Sequence, residues 1–407
     1  GSDLIVDAMF GTGLRSGISG LHLALVRVIN ASDVPVVSVD IPSGIDTDTG
    51  RPIGEAVRAT ATVTFGYPKI GQVVFPGADY SGRLICVDIG ITADAVALVN
   101  PKTEVLLGHE MREYVPVRVS DSHKGEYGHL VVVAGSRGKS GAAVLSASAA
   151  LRCGTGLVTL AGPVGLSTIF ACSIAETMTD GLPETQRGGM KHNAKVLKKV
   201  VAGKNAICLG PGVGVSSETR RITRWLVRNS TVPLLIDADG LNCLASDLKI
   251  LRVAQAPVIL TPHPGEMATL MGSTTEDVQA NRIRAARDFA FEHTAYLVLK
   301  GARTVIAFPD GRVFINPTGN PGMATAGMGD ALAGVIAGLV AQGVDPGKAC
   351  CLGAFLHGFT GDRMAYAGTR IGMLASDLIG SLPVALSEMM GVLPARTRAR
   401  GYFDIVG

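Results

Sequence analysis

The alternation of short apolar runs with helix-period segments constrains this chain more than any other feature. Runs such as "HLVVVAG" (129–135), "GLVTLAGP" (156–163), "AICLGPG" (206–212), "VPLLIDADG" (232–240), "APVILTPH" (256–263) and "AYLVLKG" (295–301) are rich in Val, Leu and Ile and end in a glycine or polar signal. Helical periodicity falls between most of them, for example at 140–153, 216–229 and 274–293. Apolar strands without polar alternation are buried on both faces, which requires a parallel sheet covered by helices. A β-ribbon, "TVIAFPDGRVFIN" (304–316), follows with "PDG" as its turn, and three helices close the series at about 329–342, 346–367 and 373–390. The first hundred residues repeat the pattern more thinly. Strands are expected at 4–10, 34–42, 61–67 and 83–91, with one helix over about 20–31. Residues 92–118 lack a period and read as a connection. The expectation is an α/β chain of 407 residues in two parts, too long for one ordinary core.

Composition narrows the function classes. A net charge of +3 is too balanced to argue for nucleic acid or a membrane surface as partner. No stretch reaches the roughly 18 apolar residues of a membrane span, "ALAGVIAGLV" (331–340) being the nearest. The seven cysteines contain no C-x-x-C pair and read as buried thiols of a cytoplasmic protein. The start, "GSDLIVD", has no basic region before an apolar run and so does not read as a signal peptide. The basic "PARTRARG" (394–401) reads as a solvated tail.

Five of the strand ends carry polar or glycine-rich signals: "GSRGKSG", "GPGVG", "DADGLN", "TPHPGE" and "KGART". In an open α/β sheet, ligands bind outside the carboxyl ends of the strands, so five such loops on one edge point to a site. The first is not a phosphate-binding P-loop, because Val133 stands where that pattern needs a glycine. In "GPGVG", Gly212 serves either a tight turn or close approach of a ligand. His263 lies between two prolines at a strand end and is a candidate ligand contact; Glu266 opens the next helix. Asp237 and Asp239 either order Mg²⁺-bound water or cap the following helix. Lys300 ends a strand, and a cation beside free backbone N–H groups suits a nucleotide phosphate. The stretch "NPTGNPGMATAGMGDALAGVIAGLV" (316–340) has one acid, Asp330, where glycine-rich chain becomes an apolar helix. Glycines before a helix leave N–H groups pointing outward as an anion hole. A carboxylate there can take the proton of a hydroxyl that attacks a phosphoryl group.

"TAGMGDALAG" resembles the G-x-G-D signature of the ribokinase-like superfamily. The ordered set "SHKGEYGHLVVVAGS", "GPGVG", "DADGLN", "TPHPGEM", "LKGARTVIA" and "GNPGMATAGMGD" resembles one branch of it, the ADP- or ATP-dependent NAD(P)H-hydrate dehydratases, over roughly 110–395. "DLIVDAMFGTGLRSGISG" and "VVSVDIPSGIDTDTG" are similar to the C-terminal half of NAD(P)H-hydrate epimerase domains. The implied architecture is a partial Rossmann-like three-layer domain (1–105), a ribokinase-like α/β/α domain (106–395) and a tail (396–407). The epimerase family's N-N-G-G-D-G motif is absent, so about half of that domain is expected and epimerisation by it alone is not.

The resemblance implies site residues by motif position. Asp330 is the catalytic base. Lys300, Gly301, Ala302, Arg303, Thr304 and Gly329 hold ADP or ATP. Ala143, Gly212, His263 and Asp330 contact the hydrated nucleotide. In the epimerase part, Gly11, Thr12, Gly13, Leu14, Arg15, Ser16, Gly17 and Asp40 contact the hydrate, and Asp7 and Ser43 match the family's K⁺ ligands. The implied partners are NADHX, NADPHX and ADP or ATP with Mg²⁺, in a homo-oligomer of the cytoplasm. Met328 departs from the family pattern, which has a hydroxyl residue there; the loss of that hydroxyl leaves the backbone N–H. A ribokinase-like kinase of a small vitamin precursor is the rival reading, and a non-catalytic nucleotide-binding protein a third.

Overall fold

The computed structural model describes residues 2–392 and 404–406. The chain divides into two compact units, one of residues 1–104 with 398–407 and one of Val105–Thr397. The first unit is a parallel sheet. Its strands β1 (Ile5–Asp7), β2 (Val36–Val39), β3 (Ala61–Phe65) and β4 (Arg83–Val87) lie in chain order, and the strand Asp404–Val406 pairs parallel to β4. A helix, Gly20–Asn30, links β1 to β2 and buries only Val26 among its residues. Val26 packs with Ile18, Val36 and Val57, while Ile41, Ile45 and Ala56 form a second small cluster. The solvated-tail reading of 394–401 lies outside the described residues.

The second unit holds a larger sheet. In chain order its strands are β5 (Thr103–Val105, within which the boundary falls), β6 (His129–Val133), β7 (Leu157–Pro163), β8 (Met178–Leu182), β9 (Ala206–Leu209), β10 (Leu234–Ile236), β11 (Val258–Leu260), β12 (Tyr296–Leu299), β13 (Val305–Ala307) and β14 (Val313–Ile315). Across the sheet the order is β5-β14-β13-β12-β11-β10-β9-β6-β7-β8. From β12 to β8 every pairing is parallel; β12–β13 and β13–β14 are antiparallel, the second joined by the "PDG" turn. Apart from the edge strand β8, the parallel strands are buried almost throughout, so their apolar side chains meet helices on both faces.

Two helices fix the part of this unit that matters most. The helix Met328–Ala341 buries twelve of its fourteen residues, which explains its nearly all-apolar sequence. It packs against Ser140–Arg152 at close range. A side chain at Gly334 would strike the backbone of Ser146, so only glycine lets the helices approach this far. Ser146 Oγ donates to the carbonyl of Asp330 at 2.9 Å and ties the start of one helix to the other.

The structure departs from the sequence expectation in several places, and the first unit holds two short helices, Ile70–Val73 and Gly77–Ser81, beyond the one expected. Residues 92–118 hold two helices, Ala93–Val99 and Gly108–Glu113, and β5; Thr92 caps the first through its hydroxyl. The segment 274–293 is two helices, broken at Asn281, whose side chain caps the second by accepting from Arg284 N at 2.9 Å. β8, "MTDGL", lies at a sheet edge and is largely exposed, so it lacks the apolar signature of its neighbours.

Candidate active site

The parallel strands bring their carboxyl ends to one edge, and the loops that follow β6, β9, β10, β11 and β12 gather there. Asp237, just past β10, is buried at 1% exposure. Its Oδ1 accepts from Thr261 Oγ1 at 2.7 Å and from Lys300 Nζ at 2.7 Å. Lys300 follows β12, and its backbone N–H donates to Pro262 O at 2.8 Å, which holds the strand end against the "TPHPGE" loop. Its ammonium also lies 3.7 Å from Glu266 Oε2. Burial opposes the Lys300 charge, but Asp237, Glu266 and Asp330 outweigh it and hold the amine above its ordinary pKa.

The helix Met328–Ala341 starts from Gly327, whose φ of 88° is in the left-handed region. A Cβ on Gly329 would lie 3.3 Å from Lys300 Nζ, so the ammonium rests against the first turn of this helix. That turn exposes backbone N–H groups without intrahelical partners, as every helix start does. Asp330 stands in the same turn. Burial first, then the charges of Asp237, Glu266 and Asp239, push its carboxyl up to about 6, with Lys300 acting the other way. A carboxyl poised there can accept a proton near neutral pH. The imidazole of His357 is buried at 8% exposure; burial and Lys300 push it down to about 4, with a hydrogen bond to the Met328 backbone opposing, so it is neutral under the start of this helix.

The "GPGVG" glycines serve the same edge. A Cβ at Gly210 would strike the Asp237 carbonyl, and one at Gly212, whose φ is 66°, would come within 2.6 Å of Lys139 O. Ser136 Oγ donates to Gly212 O at 2.7 Å. Neither acid of "DADGLN" caps the following helix: its N-cap is Ala238, at a left-handed φ of 51° and with no side-chain bond. That turn points Asp239 elsewhere, where its Oδ2 accepts from Gly214 N at 2.9 Å and Lys139 Nζ at 3.0 Å. His263 Nδ1 accepts from Gly265 N and Glu266 N, at 3.1 and 3.2 Å, and so caps the helix Pro264–Met271. Its Nε2 lies 3.4 Å from Glu266 Oε1, and the imidazole is exposed while the carboxylate is nearly buried. Ala143 is fully buried.

In "KGART", Gly301 has a φ of 138° and Arg303 one of 56°. Gly301 and Ala302 are exposed. Among the described residues the N–H groups of Gly301, Ala302 and Thr304 have no hydrogen-bond partner, while Thr304 Oγ1 donates to Gly301 O at 3.0 Å. Arg303 donates to Pro317 O.

The first unit has its own cluster. Asp7, 1% exposed at the end of β1, accepts from Ser38 Oγ at 2.8 Å, Ser43 N at 2.8 Å and Ser43 Oγ at 2.6 Å. Ser43 Oγ in turn accepts from Phe10 N at 2.9 Å, at the root of the exposed loop 11–17. Asp40, at a φ of 66°, pairs with Lys69 and accepts from Thr64 Oγ1 at 3.1 Å.

A sheet of this order, with a G-x-G-D helix start over its strand ends, defines a ribokinase-like α/β unit. The sequence profile of NAD(P)H-hydrate dehydratase matches residues 130–384, and that of the YjeF-related protein N-terminus matches 1–71. The chain belongs to the NAD(P)H-hydrate dehydratase family. It is 46% identical over 389 residues to the bifunctional NAD(P)H-hydrate repair enzyme Nnr of Moorella thermoacetica, covering 95% of this chain and 73% of that protein. The Escherichia coli protein of the same name is 35% identical over 385 residues, 93% of this chain and 71% of its own length. Among solved structures, the ADP/ATP-dependent NAD(P)H-hydrate dehydratase of Bacillus subtilis, co-crystallised with ATP and Mg²⁺, superposes with a TM-score of 0.61 at 28% identity over 70% of this chain and 98% of that one. A ribokinase-like superfamily protein of Enterococcus faecalis superposes with a TM-score of 0.61 at 28% identity, covering 71% of this chain and 96% of that chain.

Two residues at this edge carry no signal in the sequence reading: His357 and Arg282. Nothing short of the folded contacts singles them out.

Proposed function

We propose that the second unit, the expected domain 106–395, dehydrates NADHX and NADPHX at the expense of ADP or ATP. Asp330 takes the proton of the ring hydroxyl. The oxygen attacks the terminal phosphorus of the donor, whose bridging P–O bond breaks, leaving AMP or ADP. The C–O bond to the new phosphate then breaks, a proton leaves the neighbouring ring carbon, and the double bond of the reduced nicotinamide returns. Lys300, Gly301, Ala302, Arg303, Thr304 and Gly329 hold the donor, and Ala143, Gly212 and His263 line the hydrate with Asp330. The observation that carries this reading is Asp330 itself, a carboxyl near neutrality beside Lys300 at a helix start.

Mg²⁺ fits the site in one way. Among the described residues no group of three His, Cys, Asp or Glu side chains is placed to hold a metal alone. Four carboxylates nonetheless face each other across two lysines, an excess of negative charge that donor phosphates would increase. Mg²⁺ usually arrives on phosphates and keeps several waters, and partly exposed Asp239 is the acid able to meet such a water. Bound there, the ion would neutralise charge on the transferring phosphate.

In the first unit, expected as domain 1–105, we infer an epimerase-derived site at Gly11 to Gly17 and Asp40. Asp7 is a buried carboxylate with no cationic side chain paired to it among the described residues, so a K⁺ held with Ser43 Oγ supplies a fitting countercharge. A cytoplasmic homo-oligomer completes the proposal; among the described residues no helix is long and apolar enough to cross a membrane.

The test is purified protein with hydrated NADH, Mg²⁺ and ADP or ATP, followed by absorbance of the reduced nicotinamide. Recovery with one of the two donors is the expected result. No recovery, with phosphorylation of some other alcohol, would make the chain a kinase instead.

A further inference from the structure

Arg282 is the first residue of the helix Arg282–His293, where the helix dipole disfavours a cation. Among the described residues no carboxylate pairs with it, and burial pushes its guanidinium down to about 10. Dipole, burial and the lack of a counter-ion all oppose a positive charge here, so hydrogen bonding is what its placement serves. Its Nη2 donates to two successive carbonyls, Leu299 O at 2.9 Å and Lys300 O at 3.1 Å, and Nη1 reaches Gln279 Oε1 at 3.4 Å.

Those two carbonyls flank Lys300. In a trans peptide, C=O and N–H point in opposite directions. Turning the Leu299 carbonyl to Arg282 aims the Lys300 N–H away, where it meets Pro262 O at 2.8 Å. Turning the Lys300 carbonyl to the same guanidinium aims the Gly301 N–H away too, into the exposed turn where it has no partner among the described residues. Gly301 completes the fit. A Cβ there would lie within 3.0 Å of Nη2 and closer still to Nη1, so the guanidinium fills the space under this residue. Its φ of 138° excludes other residues independently.

We propose that Arg282 is a positioning residue for the nucleotide donor: it clamps the two peptides around Lys300 so that the turn that follows presents the N–H groups of Gly301, Ala302 and Thr304 to phosphate. This rests on the reading of Lys300–Thr304 as the donor loop. Arg282 does not touch the reacting atoms. Its loss therefore weakens donor binding while leaving the hydrate site and Asp330 in place.

The experiment compares wild type with R282M and R282K in the full chain, measuring KM for ADP and ATP, KM for hydrated NADH, kcat, and the heat of ADP binding by calorimetry. In R282M the donor KM rises about ten- to a hundred-fold, as for loss of hydrogen bonds from a charged group, with the hydrate KM unmoved. R282K, which keeps a charged donor without the fork, recovers part of that loss. A donor KM equal to wild type in a folded R282M or R282K would overturn the proposal and leave the dehydratase reading standing. Equal rises in both KM values would reduce Arg282 to a general structural role and overturn it as well. Should wild type use neither ADP nor ATP, the donor-loop reading fails first and takes this inference with it.

Discussion

Asp7 and Asp40 in the first unit and Asp330 in the second have opposite kinds of neighbours. In the first unit, Asp7 is surrounded by donors from Ser38 and Ser43, and Asp40 by Lys69 and Thr64. In the second, Asp330 is desolvated among Asp237, Glu266 and Asp239, while the nearest ammonium, on Lys300, is already hydrogen-bonded to Asp237. A carboxylate ringed by donors is held as a fixed acceptor and supports the fold. One crowded by other carboxylates is held near neutrality, where it can take up and release a proton, and the fold bears the cost. The same side chain therefore does opposite work depending on which partners the loops bring to it.

Replacing one carboxylate of each kind tests this directly and gives the largest effect. D330N should lose two to four decades of kcat/KM if Asp330 is the general base. Its stability should move the other way. Because the folded-state pKa is raised from 3.8 to about 6, the stability linked to Asp330 is fully present below 3.8 and lost as pH rises through about 6. Asn stays neutral and avoids that loss, so D330N should melt higher than wild type at pH 8, by at most about 3 kcal/mol and less with solvent screening, and alike at low pH. D7N should do the reverse and lose about 1–3 kcal/mol, since an amide NH₂ would face the Ser43 donors. Thermal melts of both variants at two pH values check the pair; a D330N that melts lower at pH 8 breaks the comparison.

Next in size is K300M. It removes the partner of a buried carboxylate and leaves Asp237 uncompensated, a change that costs about 3–5 kcal/mol when one member of a buried pair is lost. Urea melts measure this. Donor KM should rise about ten- to a hundred-fold, and a donor KM equal to wild type would remove Lys300 from the nucleotide site.

The pH profile is smaller but more diagnostic. A base with a pKa of about 6 must be ionised, so kcat/KM should fall about tenfold per pH unit below that value and level off above it. Lys300 lowers the Asp330 pKa, so the falling limb should move to higher pH in K300M. A limb that stays in place would mean that the crowding described above does not set the pKa.

How far this was readable from sequence follows from the range of each interaction. The buried strands announced themselves because apolar runs need no distant information, and the edge strand Met178–Leu182 did not because its exposure removes that signal. Asp330, Gly329 and Lys300 stand out in the sequence as local patterns at strand and helix ends, and the structure brings them to one sheet edge. Their coupling was not: Lys300 meets Asp237 across 63 positions, and Asp330 feels both only after the sheet forms. Asp237 and Asp239 left open a choice between capping and metal-bound water, because "DADGLN" does not reveal that Ala238, at a left-handed φ, takes the N-cap position and that no side chain caps this helix. Arg282 and His357 sit in helices with ordinary periodicity, so their roles depend on what the sheet places above them.

Met328 gives the smallest expected effect on rate and sharpens the comparison at its closest point to Asp330. The resemblance of the sequence implies a hydroxyl residue here, and a hydroxyl aimed at phosphate would mark a lost interaction. The side chain instead is 6% exposed and belongs to the main core, whereas its backbone lies in the helix turn that faces the site. An anion hole at this turn would be made of N–H groups, which Met keeps. M328S should therefore lose about 2–4 kcal/mol from the cavity it opens, with kcat/KM at the optimum pH unchanged within about threefold. Melts and steady-state rates on one preparation separate the two effects. A tenfold gain in kcat/KM would mean that a hydroxyl at 328 reaches the transferring phosphate and that the side chain, not only the backbone, is part of the hole. An unchanged rate with lowered stability assigns residue 328 to the core and leaves charge selection in this turn to the backbone and to Asp330.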